Sequence, residues 1–164
     1  MKKIDSSEID NILNEFLVEN DFDCYAELGE DFAYYDAKSL ITYALIIPVD
    51  DDKWFFEYAT KLGLKYDCGN FILSFFHEIG HSETLYLLED EEEEEIWKVK
   101  NSLTLEEFEK SKEKANIYFD LPDERLATQW AVDYINENVE KVKELSNKLE
   151  VAVNGFYKRY GLVA

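Results

Sequence analysis

"FFHEIGHSE", Phe75 to Glu83, contains both histidines of the chain, His77 and His81, four positions apart with Glu78 beside the first. In a helix, that spacing puts two side chains on one face, one turn apart. Two imidazoles so placed supply two of the donors that a zinc ion takes at about 2 Å in a tetrahedral array. Glu78 follows directly, where its carboxylate reaches a water on such an ion and takes its proton during attack on a carbonyl. The flanks make the segment stranger. Phe71, Leu73, Phe75, Phe76, Ile79 and Leu85 make 71 to about 88 apolar on most sides, which predicts a buried helix capped by Asn70. Buried His and Glu without partners cost about 2–7 kcal/mol each. An HExxH string also arises by chance, but here an apolar helix spends three polar residues at ligand positions.

Zinc needs a third protein ligand and an open position. No third histidine exists, and the longer HExxHxxGxxH pattern would need His where Leu87 stands. The third ligand is therefore a carboxylate or a cysteine. Glu83 lies on the same helix but on another face, and the run Glu91 to Glu95 offers no fixed position. Glu124 is the best placed. It opens a helix just after Pro122, a residue suited to the first helical turn, and lies 43 residues beyond His81. That is enough chain to bring a second helix back beside the first. Asp123 is the fallback. A first-turn acid is also favoured by the helix dipole alone.

Outward from this pair, the chain predicts an amphipathic helix over 6–20. Asp5 and Glu8 are placed as a capping box, and Ile9, Ile12, Leu13, Phe16 and Leu17 form the buried stripe. Aromatic and β-branched residues across roughly 22–48 predict a small antiparallel sheet ended by Pro48. Asp50 to Asp52 open a further helix. The block 89–95, seven acidic residues in a row, is expected to be a solvated loop or a frayed helix end. From residue 104 onward everything reads as helix: a capping box at Thr104 and Glu107, a helix from Pro122 with Leu126, Ala127, Trp130, Ala131 and Tyr134 inward, and a last helix from about 139 to 160.

With 164 residues, 46% hydrophobic and 15% aromatic, the chain reads as one domain over 1–164 with a real core. A net charge of −20 argues against nucleic acid and anionic membranes as partners; it is compatible with a basic partner, and equally with acidity that serves only solubility. "MKKIDSSEID" has no apolar segment after its lysines, and no apolar run reaches 18 residues. A cytoplasmic location is expected. Cys24 and Cys68 are isolated from each other and read as small buried hydrophobes.

"FFHEIGH" followed by "DERLATQWA" resembles the gluzincin metallopeptidases, and most nearly the small zincin-like domains of the ImmA/IrrE group. There the metal helix is followed by one with the pattern E-x-x-A-x-x-aromatic-A, met here by Glu124, Ala127, Trp130 and Ala131. The likeness covers about 30–137. It implies an α+β zincin-like fold, a zinc ion held by His77, His81 and Glu124, and Glu78 as the catalytic base of a peptidase acting on a protein or peptide. An edge strand at 40–48 would align the substrate. The chain departs from the family at Thr128, where Asp or Asn often supports a histidine ligand, and in the acidic block. A residue for the oxyanion is left open among eleven tyrosines. The competing reading is an acidic interaction module on the same scaffold that does not cut; its metal, if structural, would be closed off by Cys24 or Cys68. A third is a metal-free helical domain.

Overall fold

The computed structural model describes residues 5–28, 34–35, 40–43, 53–104, 107 and 110–161. Helices dominate. In order they are α1 (Ser7–Glu19), α2 (Lys53–Lys61), α3 (Asn70–Thr84), α4 (Asp90–Ser102), α5 (Lys112–Phe119), α6 (Pro122–Glu137) and α7 (Val139–Tyr160). Among the described residues, strand pairing is confined to β1 (Tyr25–Leu28), β2 (Tyr34–Tyr35) and β3 (Leu40–Tyr43). The expected α+β class is therefore corrected: the described chain is mostly helical, and its strands form a small patch instead of a layer. The described strands fall where aromatic and β-branched residues predict them, at 25–28, 34–35 and 40–43.

The pairing also differs from expectation. β3 lies between the other two strands, parallel to β1 and antiparallel to β2. The 40–48 segment is thus central, not an edge, over residues 40–43, and 44–48 fall outside the described residues, as do Pro48 and the Asp50 to Asp52 cap. The outer side of β1 is closed as well. Asn14 on α1 donates to the Ala26 carbonyl at 2.8 Å and accepts from the Ala26 N–H at 2.8 Å, taking the place of a neighbouring strand.

The core forms where amphipathic faces converge. α1 packs on α7 and β1, joining Ile9, Leu13, Phe16 and Leu17 to Val142, Leu145, Leu149, Ala152 and Phe156. α3 runs through the middle, buried on most sides as its composition predicts. An aromatic chain ties the layers: Phe16 meets Phe76 edge-on at 5.5 Å, Phe76 stacks on Tyr134 at 5.1 Å, and Tyr134 stacks on Trp130 at 5.2 Å.

Local signals fared unevenly. The Thr104–Glu107 capping box forms in both directions, and Pro122 opens α6. Ser6 and not Asp5 takes the cap of α1, although Asp5 still accepts from the Ser7 N–H at 3.1 Å. Gly69, with φ of 77°, precedes α3, so Asn70 is its first residue and not its cap. The acidic block is corrected from loop or frayed end to the opening turns of α4. Glu92 accepts from the Glu89 N–H at 3.2 Å, and the first-turn acids face unpaired N–H groups, which favours negative charge there. Buried Ile96 and the ion pairs of Lys100 fix the helix further along. Among the described residues, no helix is long and apolar enough to cross a membrane.

Candidate metal centre

The site is made by the crossing of α3 and α6. Their approach depends on small residues: Gly80 on α3 lies directly against the backbone of Ala127 on α6. With the backbones this close, Glu124, one turn before Ala127, comes under the two histidines. Glu124 Oε2 is 3.0 Å from His77 Nε2 and 3.5 Å from His81 Nε2. One donor atom from each of these three side chains falls within a 4.8 Å cluster, close enough to hold a metal ion. His77 and Glu124 are buried, and the His81 side chain keeps 17% exposure, so the cluster opens on the His81 side. His77 is further fixed by Phe55 of α2, edge-on at 5.1 Å.

Thr128 sets the orientation of His77. Its hydroxyl donates to the Glu124 carbonyl at 2.8 Å, which uses its only proton. The same oxygen lies 3.0 Å from His77 Nδ1 and so accepts from it. With Nδ1–H spent, a neutral His77 presents the lone pair of Nε2 to Glu124 Oε2, and two lone pairs would then face each other at 3.0 Å. The arrangement calls for a cation between them, either a proton or a metal ion. The donor set of two imidazoles and a carboxylate fits zinc, and the Thr128 support is of the kind that fixes a ligand's tautomer. Thr128 thus fixes the His77 ring through Nδ1.

The electrostatics agree with this geometry. Burial by itself would raise the Glu124 pKa, but hydrogen bonds and charge from His77 and His81 hold it well below the usual carboxylate range. Burial pulls the His81 pKa down, and the hydrogen bond and charge of Glu124, with Glu78, more than reverse this, leaving it above the ordinary value. Glu78 is buried beside the cluster, and its charge is felt by both His81 and Tyr118.

Two further residues escaped the sequence reading. Tyr118 of α5 has its hydroxyl pKa raised by burial and by the charge and hydrogen bond of Glu124, so it stays protonated. Lys100 of α4 reaches Glu124 Oε1 at 2.6 Å and Asp123 Oδ2 at 2.5 Å. The competing ligands do not join the site. Asp123 is engaged by Lys100. Cys24 and Cys68 are free thiols outside the cluster, each pushed up to about 12, mainly by burial. No protein-family model, curated protein or solved structure matches the chain.

Proposed function

We propose that the chain is a zinc-dependent metallopeptidase of the HExxH-plus-glutamate type. The observation that carries this reading is the convergence of His77, His81 and Glu124 from two helices, with Glu78 buried next to them. His77, His81 and Glu124 would hold the ion. Bound zinc supplies Lewis acidity, which lowers the pKa of water and polarises a carbonyl. Glu78 is the base that takes the proton from the attacking water and returns it to the leaving amine. Tyr118, kept protonated and hydrogen-bonded to Glu124, would exchange that bond to reach the developing oxyanion. The acidic surface favours a basic protein or peptide substrate.

The test begins with metal content of protein purified without a histidine tag. About one zinc per chain, lost or much weakened in Glu124→Ala, supports the ligand set. A peptide-library digest then compares wild type with Glu78→Gln, which keeps the ligands and removes the base. Cleavage by wild type alone supports the peptidase. No zinc uptake, even from added zinc, overturns it. One feature favours a second reading, a non-catalytic acidic module: the outer face of α4 carries exposed acids beside Trp97, itself 65% exposed. Zinc binding by both proteins without cleavage by either would support that reading.

A further inference from the structure

The two oxygens of Glu124 have separate partners. Oε2 faces His77 Nε2 at 3.0 Å and His81 Nε2 at 3.5 Å. Oε1 is held by Lys100 Nζ at 2.6 Å, and the same ammonium takes Asp123 Oδ2 at 2.5 Å. A carboxylate can give a metal one oxygen or both, and the choice sets the coordination number. We propose that Lys100 is a positioning residue that restricts Glu124 to one oxygen and keeps Asp123 away, so that the site offers three protein donors and selects a four-coordinate ion.

Three observations support this, and all rest on the reading of His77, His81 and Glu124 as ligands. The first is the division of Glu124 itself. With Oε1 on an ammonium, the bidentate mode would have to break a charge-assisted hydrogen bond.

The second is the neighbour. Asp123 and Glu124 are adjacent in sequence and share Lys100, and Asp123 Oδ1 is buried without a hydrogen-bond partner. A carboxylate with a spare buried oxygen beside a cation site is a competing ligand. Lys100 pairs with both carboxylates at once and so holds Asp123 Oδ2 on its own ammonium.

The third is rigidity. Lys100 is not a loose surface lysine: its side chain is 30% exposed, and its Nζ lies 5.2 Å from the centre of the Tyr118 ring. It is delivered by α4, whose buried anchor is Ile96, one turn earlier on the same face. Zinc accepts four ligands with nitrogen and oxygen donors, whereas manganese and calcium favour six or more, mostly oxygen. Freed from Lys100, Glu124 and Asp123 together would offer up to four oxygens, a set better suited to the latter ions.

The probe is Co²⁺, whose visible absorption reports coordination number, combined with competition titrations of Zn²⁺ against Mn²⁺. Wild type, Lys100→Gln and Lys100→Arg are compared. Wild type is expected to give the intense absorption of four-coordinate Co²⁺. Lys100→Gln is expected to give weaker, blue-shifted bands and to lose at least about tenfold of its preference for Zn²⁺ over Mn²⁺, the scale of other supporting contacts. Lys100→Arg, whose fork can hold both carboxylates, should restore most of each. If Lys100→Gln does not fold, Lys100→Gln/Asp123→Asn removes the unpaired carboxylate with the lysine and leaves the Glu124 oxygens to be read. A spectrum and a selectivity unchanged in the glutamine variants overturn the role of Lys100 while leaving the metal site standing. Wild type that takes up neither Co²⁺ nor Zn²⁺ overturns the site and this inference with it.

Discussion

Gly80 on α3 lies so near Ala127 on α6 that a Cβ at position 80 would stand 2.3 Å from the Ala127 carbonyl oxygen and 2.9 Å from its Cα. Neither obstacle is a flexible side-chain tip, so the helices themselves must separate to admit a methyl group. Glycine to alanine inside a helix normally stabilises by about 0.5–1 kcal/mol. At Gly80 the clash reverses the sign, and Gly80→Ala is expected to cost about 1–3 kcal/mol and to weaken metal binding as Glu124 moves from the histidines. Gly155, within α7, has nothing within 4 Å of its added Cβ. Gly155→Ala should therefore follow the ordinary rule and stabilise. Denaturant unfolding of both variants checks the pair; a stabilising Gly80→Ala beside a destabilising Gly155→Ala would refute the helix-crossing account.

Thr128 accepts from His77 Nδ1 while donating to the Glu124 carbonyl. Thr128→Val keeps the shape and removes the hydroxyl. It should leave the buried Nδ1–H unpaired, costing about 1–3 kcal/mol, and lower zinc affinity by about 10–100-fold. Thr128→Ser should bind zinc close to wild type. Competition with a chromophoric chelator measures both; wild-type affinity in the valine variant would show that the tautomer is set some other way.

The metal-free protein should respond to pH with a definite sign. The His81 pKa is raised in the folded state, burial being outweighed by Glu124. Protonated His81 therefore adds stability that is fully present below the unfolded value of about 6.5 and is lost as pH rises through the folded pKa. Glu124 is depressed, so its contribution is present above about 4.3 and is lost only as pH falls through its folded pKa. Metal-free melting temperature should thus decline above about pH 6.5. Zinc-loaded protein should gain over the metal-free form with rising pH, because protons compete for the imidazoles. Melting curves from acid to mildly alkaline pH, repeated on His81→Gln, test this. A metal-free curve that climbs through that range, or one that His81→Gln leaves unchanged, contradicts it.

Cys24 and Cys68 lie outside the ligand cluster, and burial pushes both thiols up to about 12. A Cys24→Ala/Cys68→Ala double variant should keep wild-type metal stoichiometry. Both thiols should also react slowly with iodoacetamide at neutral pH, because little thiolate is present. Loss of one metal equivalent in the double variant would bring a cysteine back into the site.

Much of the site could be read from local spacing. His77 and His81 share a face because a helix turns once in 3.6 residues, and Glu124 follows Pro122 at a helix start for reasons contained in a few neighbouring residues. The same holds for the Thr104–Glu107 box and for α7. The strand reading of 22–48 holds at β1, β2 and β3, but antiparallel pairing does not hold for β1 with β3, because strand direction is settled between segments and not within one. The reading of 89–95 as a solvated loop or frayed helix end failed, because a helix dipole favours acids in the first turn and Ile96, directly after the block, anchors the helix by burial.

The sequence by itself determined that His77 and His81 share one side of their helix, since that periodicity is a property of one helix alone. Only the tertiary structure decided that Gly80 meets Ala127, that Thr128 supports His77, that Lys100 arrives from α4 to divide the oxygens of Glu124, and that β3 is central and not an edge. Each of these depends on which face of one element meets which face of another. That is settled by close packing of surfaces distant in sequence, and no local period carries it.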